Sequence, residues 1–167
     1  EIALAADKDG ILLGLDDTFY FDSGAYCPYG PINAICCQGI LPGPYKIPNL
    51  RLEYNAVYTN TVTVGPYRGA GQPHGAFVME TMMNRLAHEL KIDPAVLRQR
   101  NLVTPAECPF YAGTVFQNGA KLIHQDCDSP AELDIVLKAL DYDAIRATQD
   151  ELRQKGTYRG VAIAFYV

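Results

Sequence analysis

Hydrophobic and polar positions are patterned from the first residues. Ile2 to Lys8 is apolar with a polar end, Asp9-Gly10 supplies a turn, and Ile11 to Phe21 returns with aliphatic and aromatic residues. This predicts a long β-hairpin with antiparallel pairing, because Asp-Gly tolerates the positive φ of a tight turn. A second strand region runs from Leu50 to Val64. There Leu52, Tyr54, Ala56 and Tyr58 alternate with Arg51, Glu53 and Asn55, so one face is expected to be buried. Between the two, residues 23–48 are dense in Gly, Pro and Tyr, including Gly30-Pro31 and Gly43-Pro44. They predict irregular connections around one short helix near Ile32 to Cys37.

A helical period takes over at Pro73. Ala76, Met79, Met83, Ala87 and Leu90 recur at three- and four-residue steps and share one face of a helix from Pro73 to Leu90. Asp93-Pro94 reads as cap and first residue of a shorter helix through Asn101, the two helices forming a corner. Residues 103–128 show little periodicity and read as an extended surface connection with a turn at Asn118-Gly119. Ser129-Pro130 opens a third helix with Leu133, Val136, Leu137 and Leu140 on one side. A charged fourth helix, Tyr142 to Lys155, stops at Gly156, and Thr157 to Val167 reads as the start of a new strand. The fold class expected is α+β, with antiparallel strands packed against helices. Residues 1–128 would form part of one domain with its C-terminal linker, and 129–167 a helical connection into the next.

At 167 residues, 49% of them hydrophobic, the chain can bury a sizeable core. Its formal net charge of −5 and the absence of a basic stripe argue against nucleic acid as a partner. No apolar run is long enough to span a bilayer, so a soluble, cytoplasmic protein is expected. The chain begins at Glu1 and ends on Phe165, Tyr166 and Val167 within an apolar run, which reads as an excerpt. Cys27, Cys36, Cys37, Cys108 and Cys127 make an odd count without a C-x-x-C pair, and reduced thiols are expected. Cys36 and Cys37 are adjacent, a spacing that rarely meets disulfide geometry.

Chemistry concentrates in the turn between strand and helix. Gly65, Gly69 and Gly71 leave backbone N–H groups unshielded while Arg68 adds a fixed cation, and the helix that follows contributes the positive end of its dipole. A phosphate, carboxylate or oxo group would be favoured there. The plainer alternative is that the glycines serve backbone geometry and the arginine is a surface charge. Gly69, Gly71 and Gly75 narrowly miss the dinucleotide fingerprint, and the helix is followed by another helix rather than a strand. His74, His88 and His124 have no metal-site spacing and read as structural. Glu80, near the apolar face of the long helix, either orients something or bonds nearby backbone donors. Met79, Met82 and Met83 read as core packing.

Several motifs follow one another in order: Asp22-Ser23-Gly24-Ala25-Tyr26, Tyr45-Lys46-Ile47-Pro48-Asn49, Gly65-Pro66-Tyr67-Arg68-Gly69-Ala70-Gly71-Gln72-Pro73, Asp93-Pro94-Ala95 and Leu97-Arg98-Gln99-Arg100-Asn101-Leu102. Residues 1–105 resemble the large subunits of molybdenum hydroxylases, the family of xanthine dehydrogenase and aldehyde oxidoreductase; the remainder resembles them weakly. The resemblance implies that Tyr67, Arg68 and Gly69 approach a molybdopterin cofactor and that Ala70 helps line the substrate pocket. Xanthine-oxidising members carry a Phe at the Ala70 position and an arginine near the Cys36 position, so a purine substrate is disfavoured. Copper-molybdenum carbon monoxide dehydrogenases place a Cys directly after the loop arginine. Gly69 stands there instead, and that activity is rejected.

What the resemblance leaves is hydroxylation of an aldehyde or aromatic heterocycle with a water-derived oxygen, electrons passing to iron–sulfur and FAD subunits or domains. The family's catalytic Glu, in a Gly-x-Gly-Glu segment, is not among these residues. The fragment alone is therefore expected to be inactive. The competing possibility is a non-catalytic binding or assembly module that keeps the scaffold.

Overall fold

A computed structural model describes residues 1–26 and 29–166; Cys27, Pro28 and Val167 lie outside it. The first hairpin forms as its pattern predicts. Strand β1 (Ile2–Ala6) pairs antiparallel with β2 (Leu12–Asp22), Leu4 opposite Leu15, with a register shift at Ala5/Ala6. Its turn is closed by Asp7, whose Oδ1 accepts from the amides of Asp9 and Ile11 at 2.9 Å each. Gly10 has φ +80°, and a Cβ there would meet Leu97 Cδ1 at 2.6 Å, so the turn lies flat on a helix.

From β2 the chain crosses through α1 (Gly30–Gly39), longer than the short helix expected, into β3 (Leu50–Val57). Here the architecture departs from an all-antiparallel expectation: β3 pairs parallel to β2, from Leu15↔Leu50 to Asp22↔Val57. The intervening helix is the reason, since a crossover returns the chain to the sheet in the same direction. The strand also stops at Val57 rather than Val64, because the chain then turns to bond residues 22–25. Thr59 and Thr61 hydroxyls reach the Asp22 carboxylate, and the Ala25 amide donates to Thr61 O at 3.1 Å.

Helices α2 (Gln72–Leu90) and α3 (Pro94–Asn101) form the expected corner. Lys91 ends α2 in the left-handed conformation, and Asp93 caps α3 by accepting from the amides of Ala95 and Val96. Met79, Met83 and Ala87 of α2 meet Leu97 of α3 and Leu12 and Leu15 of β2 in the core. Asn101 fixes the hairpin to this corner. Its Oδ1 accepts from the Leu12 amide at 2.9 Å and its Nδ2 donates to Gly10 O at 2.7 Å.

Residues 103–128 are not a bare connection. After a short 3-10 turn they form a second antiparallel hairpin, β4 (Phe110–Val115) and β5 (Lys121–His124), turned at Asn118-Gly119. Helix α4 (Ser129–Leu140) is capped by Asp128, whose carboxylate accepts from the Ala131 amide, rather than by Ser129. Helix α5 (Tyr142–Gln154) ends before Gly156 at φ +78°. Leu133, Tyr142 and Ile163 join the same hydrophobic cluster as Met83 and Leu97. Residues 157–166 form no strand among the described residues, yet Phe165 packs edge-on against Tyr45. The sheet-and-helix composition is the α+β class expected.

Candidate functional site

The loop entering α2 is positioned from both ends. Upstream, Gly24 lies against the Val62 carbonyl, where a Cβ would come within 2.2 Å, and Thr63 Oγ1 donates to Ala25 O. Downstream, two glycines let α2 rest directly on the backbone of α1. A Cβ on Gly71 would meet Asn33 O at 2.1 Å, and one on Gly75 would meet Cys37 O at 2.4 Å. No larger residue fits without moving a helix.

Between these anchors the chain takes three successive left-handed conformations, Gly69 at φ 91°, Ala70 at 40° and Gly71 at 90°. Ala70 is the strained member, since a Cβ disfavours that region. The turn is internally bonded. The Ala70 amide donates to Tyr67 O and the Gln72 amide to Gly69 O, both at 2.8 Å, and the His74 amide donates to Gly71 O at 3.0 Å. The orphan donors expected at the start of α2 are thus largely satisfied by the loop, and Pro73 has none to offer. From Tyr67 to Gln72 the amides without a partner among the described residues are those of Tyr67, Arg68, Gly69 and Gly71. The Arg68 side chain is exposed and makes no ion pair or hydrogen bond among the described residues. Tyr67 beside it is 87% exposed. A contiguous, solvent-facing cation with free amides next to it is an arrangement that accepts an anionic group.

Next to this loop, Pro73, His74 and Phe77 of α2 form one side of an apolar cleft of about 280 Å³. Asp17 and Cys37 lie on its other side. Burial raises the Asp17 carboxyl above its usual range, only partly opposed by Gln38, and burial together with the Asp17 charge pushes the Cys37 thiol up to about 11. Buried Asn33 Oδ1, on α1, has no partner among the described residues.

Other candidates from the sequence lie elsewhere. Cys36 is 2% exposed and its Sγ donates to Gln117 Oε1 at 3.2 Å. His88 is exposed near the end of α2, while His124 stacks on Phe110 and contacts Gly43 O. No group of three metal-ligating side chains occurs among the described residues. Met79 and Met83 are core residues, as expected, while Met82 is half-buried.

Glu80 is bonded by side chains rather than by backbone donors. Arg98, fully buried on α3, donates to Glu80 Oε2 from Nη2 at 2.7 Å and from Nε at 3.0 Å. Tyr45 Oη donates to Glu80 Oε1 at 2.6 Å. Burial, reinforced by the adjacent carboxylate, holds the Tyr45 phenol protonated well above its ordinary range. These three residues clamp α2, α3 and the Tyr45 segment together. Their sequence signal lies in the Tyr45-Lys46-Ile47-Pro48 and Arg98-containing motifs, but nothing in either names its partner.

Fold and loop together define an α+β domain that presents a cationic, glycine-bounded turn to solvent at the start of its longest helix. The family model of the molybdopterin cofactor-binding domain matches residues 1–102, and the chain belongs to that family, the one found in molybdenum hydroxylase large subunits. Among curated relatives, the nicotine 6-hydroxylase large subunit of Paenarthrobacter nicotinovorans is 30% identical over 99% of this chain and 20% of its own length. The aldehyde oxidoreductase of Megalodesulfovibrio gigas is 34% identical over 64% of this chain and 12% of its own. Quinoline 2-oxidoreductase from Pseudomonas putida 86 superposes with a TM-score of 0.80 at 30% identity, covering 93% of this chain and 19% of that one. The chain thus spans about one-fifth or less of the length of these relatives. No helix is long and apolar enough to cross a membrane among the described residues.

Proposed function

We propose that this chain is the part of a cytoplasmic molybdenum hydroxylase large subunit that grips the molybdopterin. The observation that carries the reading is Arg68, exposed and without a partner among the described residues, beside the free amides of Arg68, Gly69 and Gly71. This donor set fits the anionic groups of a molybdopterin, with Tyr67, Arg68 and Gly69 holding it and Ala70 facing the substrate. When bound, the cofactor supplies the redox chemistry that hydroxylates an aldehyde or aromatic heterocycle with oxygen from water. The chain's own contribution is to bind and orient. The glycine contacts on α1 fix the loop and Arg68 neutralises charge. Relatives named for nicotine and quinoline support the heterocycle class. With Ala70 in the loop and the Cys36 thiol buried, neither position supplies an aromatic sandwich or an arginine clamp for a purine. Electrons pass to iron–sulfur and FAD subunits or domains, and the remainder of the large subunit supplies the general base. These 167 residues alone are inactive.

The test is metal and pterin analysis of the full-length protein from a molybdopterin-competent host. Wild type contains both in equimolar amount. Arg68→Ala retains them about 10- to 100-fold less tightly, as expected for loss of a charge-assisted contact, with unchanged melting. Wild-type protein free of molybdenum and pterin refutes the assignment. Full cofactor content in Arg68→Ala refutes the role of that residue.

A further inference from the structure

The β4–β5 hairpin carries two thiols at its base that the cofactor loop does not use. Cys108 lies two residues before Phe110 and Cys127 three residues after His124, just outside the last pair of the hairpin. Their Sγ atoms are 3.0 Å apart, about 1 Å more than a sulfur–sulfur bond and closer than unbonded sulfurs rest in packing. Both are half-buried, which leaves them within reach of a small solute, whereas Cys36 and Cys37 are buried.

The hairpin they close is attached to the rest of the chain by few bonds. Thr114 Oγ1 donates to Gly39 O at 2.6 Å, Cys36 Sγ donates to Gln117 Oε1 at 3.2 Å, His124 Nε2 contacts Gly43 O at 3.2 Å, and Gly113 packs on Leu50. With Ile35 and Tyr54 it walls a cleft of about 390 Å³. A covalent link at its base would fix that wall.

We propose that Cys108 and Cys127 form a dithiol site which small-molecule disulfides of the glutathione class oxidise to an intramolecular disulfide, locking the base of the hairpin. The Cys108 thiolate attacks the solute disulfide, forming a mixed disulfide and releasing one thiolate. Cys127 then loses its proton and attacks the Cys108 sulfur, forming the Cys108–Cys127 bond and expelling the second thiolate. Two protein thiols are oxidised, one solute disulfide is reduced, and the two protons end on the released thiols. Burial, with the neighbouring Cys108, pushes the Cys127 thiol up to about 11, which suits it to the resolving rather than the entering role. In a reducing compartment the pair rests as thiols and closes only when the thiol pool is oxidised.

The test equilibrates the full-length protein at graded ratios of oxidised to reduced glutathione, alkylates it, and maps peptides by mass spectrometry without reduction. The expected product is a peptide pair joined through Cys108 and Cys127, two hydrogens lighter than the thiols, which is lost under excess reduced glutathione. Hydrogen exchange across residues 110–124 slows on oxidation by on the order of 100-fold, because the closed ring restricts the opened state. Cys108→Ser and Cys127→Ser each abolish link and slowing. The wild-type peptide map is decisive even where a serine variant misfolds. Separate glutathione adducts on both cysteines, a link from either to a different cysteine, or slowing that persists in the serine variants overturns the site.

Discussion

Glu80→Ala leaves the Arg98 guanidinium buried without its carboxylate. The Arg98 side chain has no exposure and that of Glu80 only 6%, so water replaces neither partner in place. Removing one member of such a pair costs about 3–5 kcal/mol, since the remaining charge stays desolvated. Arg98 keeps bonds to Pro94 O at 3.1 Å, Glu80 O at 3.3 Å and Asn84 Oδ1 at 3.0 Å, but the buried Tyr45 hydroxyl also loses its acceptor, which places the loss near the middle of that range, about 4 kcal/mol. With a urea dependence of about 2 kcal/mol/M, the unfolding midpoint falls by about 2 M. The double variant Glu80→Leu with Arg98→Met removes both charges at similar volume and recovers most of that loss. Equilibrium urea unfolding of wild type, both single variants and the double variant, followed by far-UV circular dichroism, measures the coupling directly. A midpoint shift under about 0.3 M for Glu80→Ala, or a double variant as unstable as the two singles combined, refutes the claim that this pair joins α2 to α3.

Gly71→Ala forces a Cβ to 2.1 Å from Asn33 O at a backbone φ of +90°; it lowers stability by roughly 3 kcal/mol, read from thermal melting. Asn101→Ala strands the Leu12 amide and the Gly10 carbonyl and costs about 2–4 kcal/mol; amide exchange at Leu12 reports the opened turn. Asp17→Asn reports on pH. The folded carboxyl titrates above its ordinary value of 3.8, so the native state holds its proton longer than the unfolded one and stability falls as pH rises through that window. The variant is therefore more stable than wild type at neutral pH, and urea titrations at pH 7 and below pH 3.8 should show the advantage vanish on acidification.

How far the sequence revealed the fold depends on whether a pattern kept its ordinary polarity. The β1–β2 hairpin and the α2–α3 corner follow from alternation, turn residues and caps because their apolar positions face inward. The β4–β5 hairpin inverts that rule. Ala112 and Thr114 face inward at 4% and 6% exposure, while Tyr111 and Val115 face outward at 43% and 49%. Small inside and large outside leaves no alternation to detect. Parallel pairing of β3 with β2 was equally hidden, since strand composition does not state which edge is joined. The α4 face was only half readable: Leu133 is buried, but Val136 and Leu140 are exposed. The Arg68 loop stands out through its glycines, whereas the partners of Glu80 lie far away in sequence and meet it only through the corner of α2 and α3.

Two arginines in the motifs that mark the family meet opposite circumstances. A guanidinium has five N–H donors and does not deprotonate in proteins, so each arginine must find acceptors in the chain, in water or in another molecule. Arg98 takes its acceptors from Glu80, Asn84 and Pro94, and is part of the fold. Arg68 takes none from the described residues, so its loss removes nothing the fold depends on. Gly71, a short step along the same loop, is the reverse: Asn33 O leaves no room for a side chain whether or not a ligand is present. On the proposed function, glycine as geometry and arginine as an anion contact are not rival accounts of the loop, because each concerns a different residue. On that proposal, stability and molybdenum content are expected to respond separately, as thermal melting beside metal analysis of the full-length variants checks. Gly71→Ala lowers both, because the loop is held by its contact with α1. Arg68→Ala lowers molybdenum content alone.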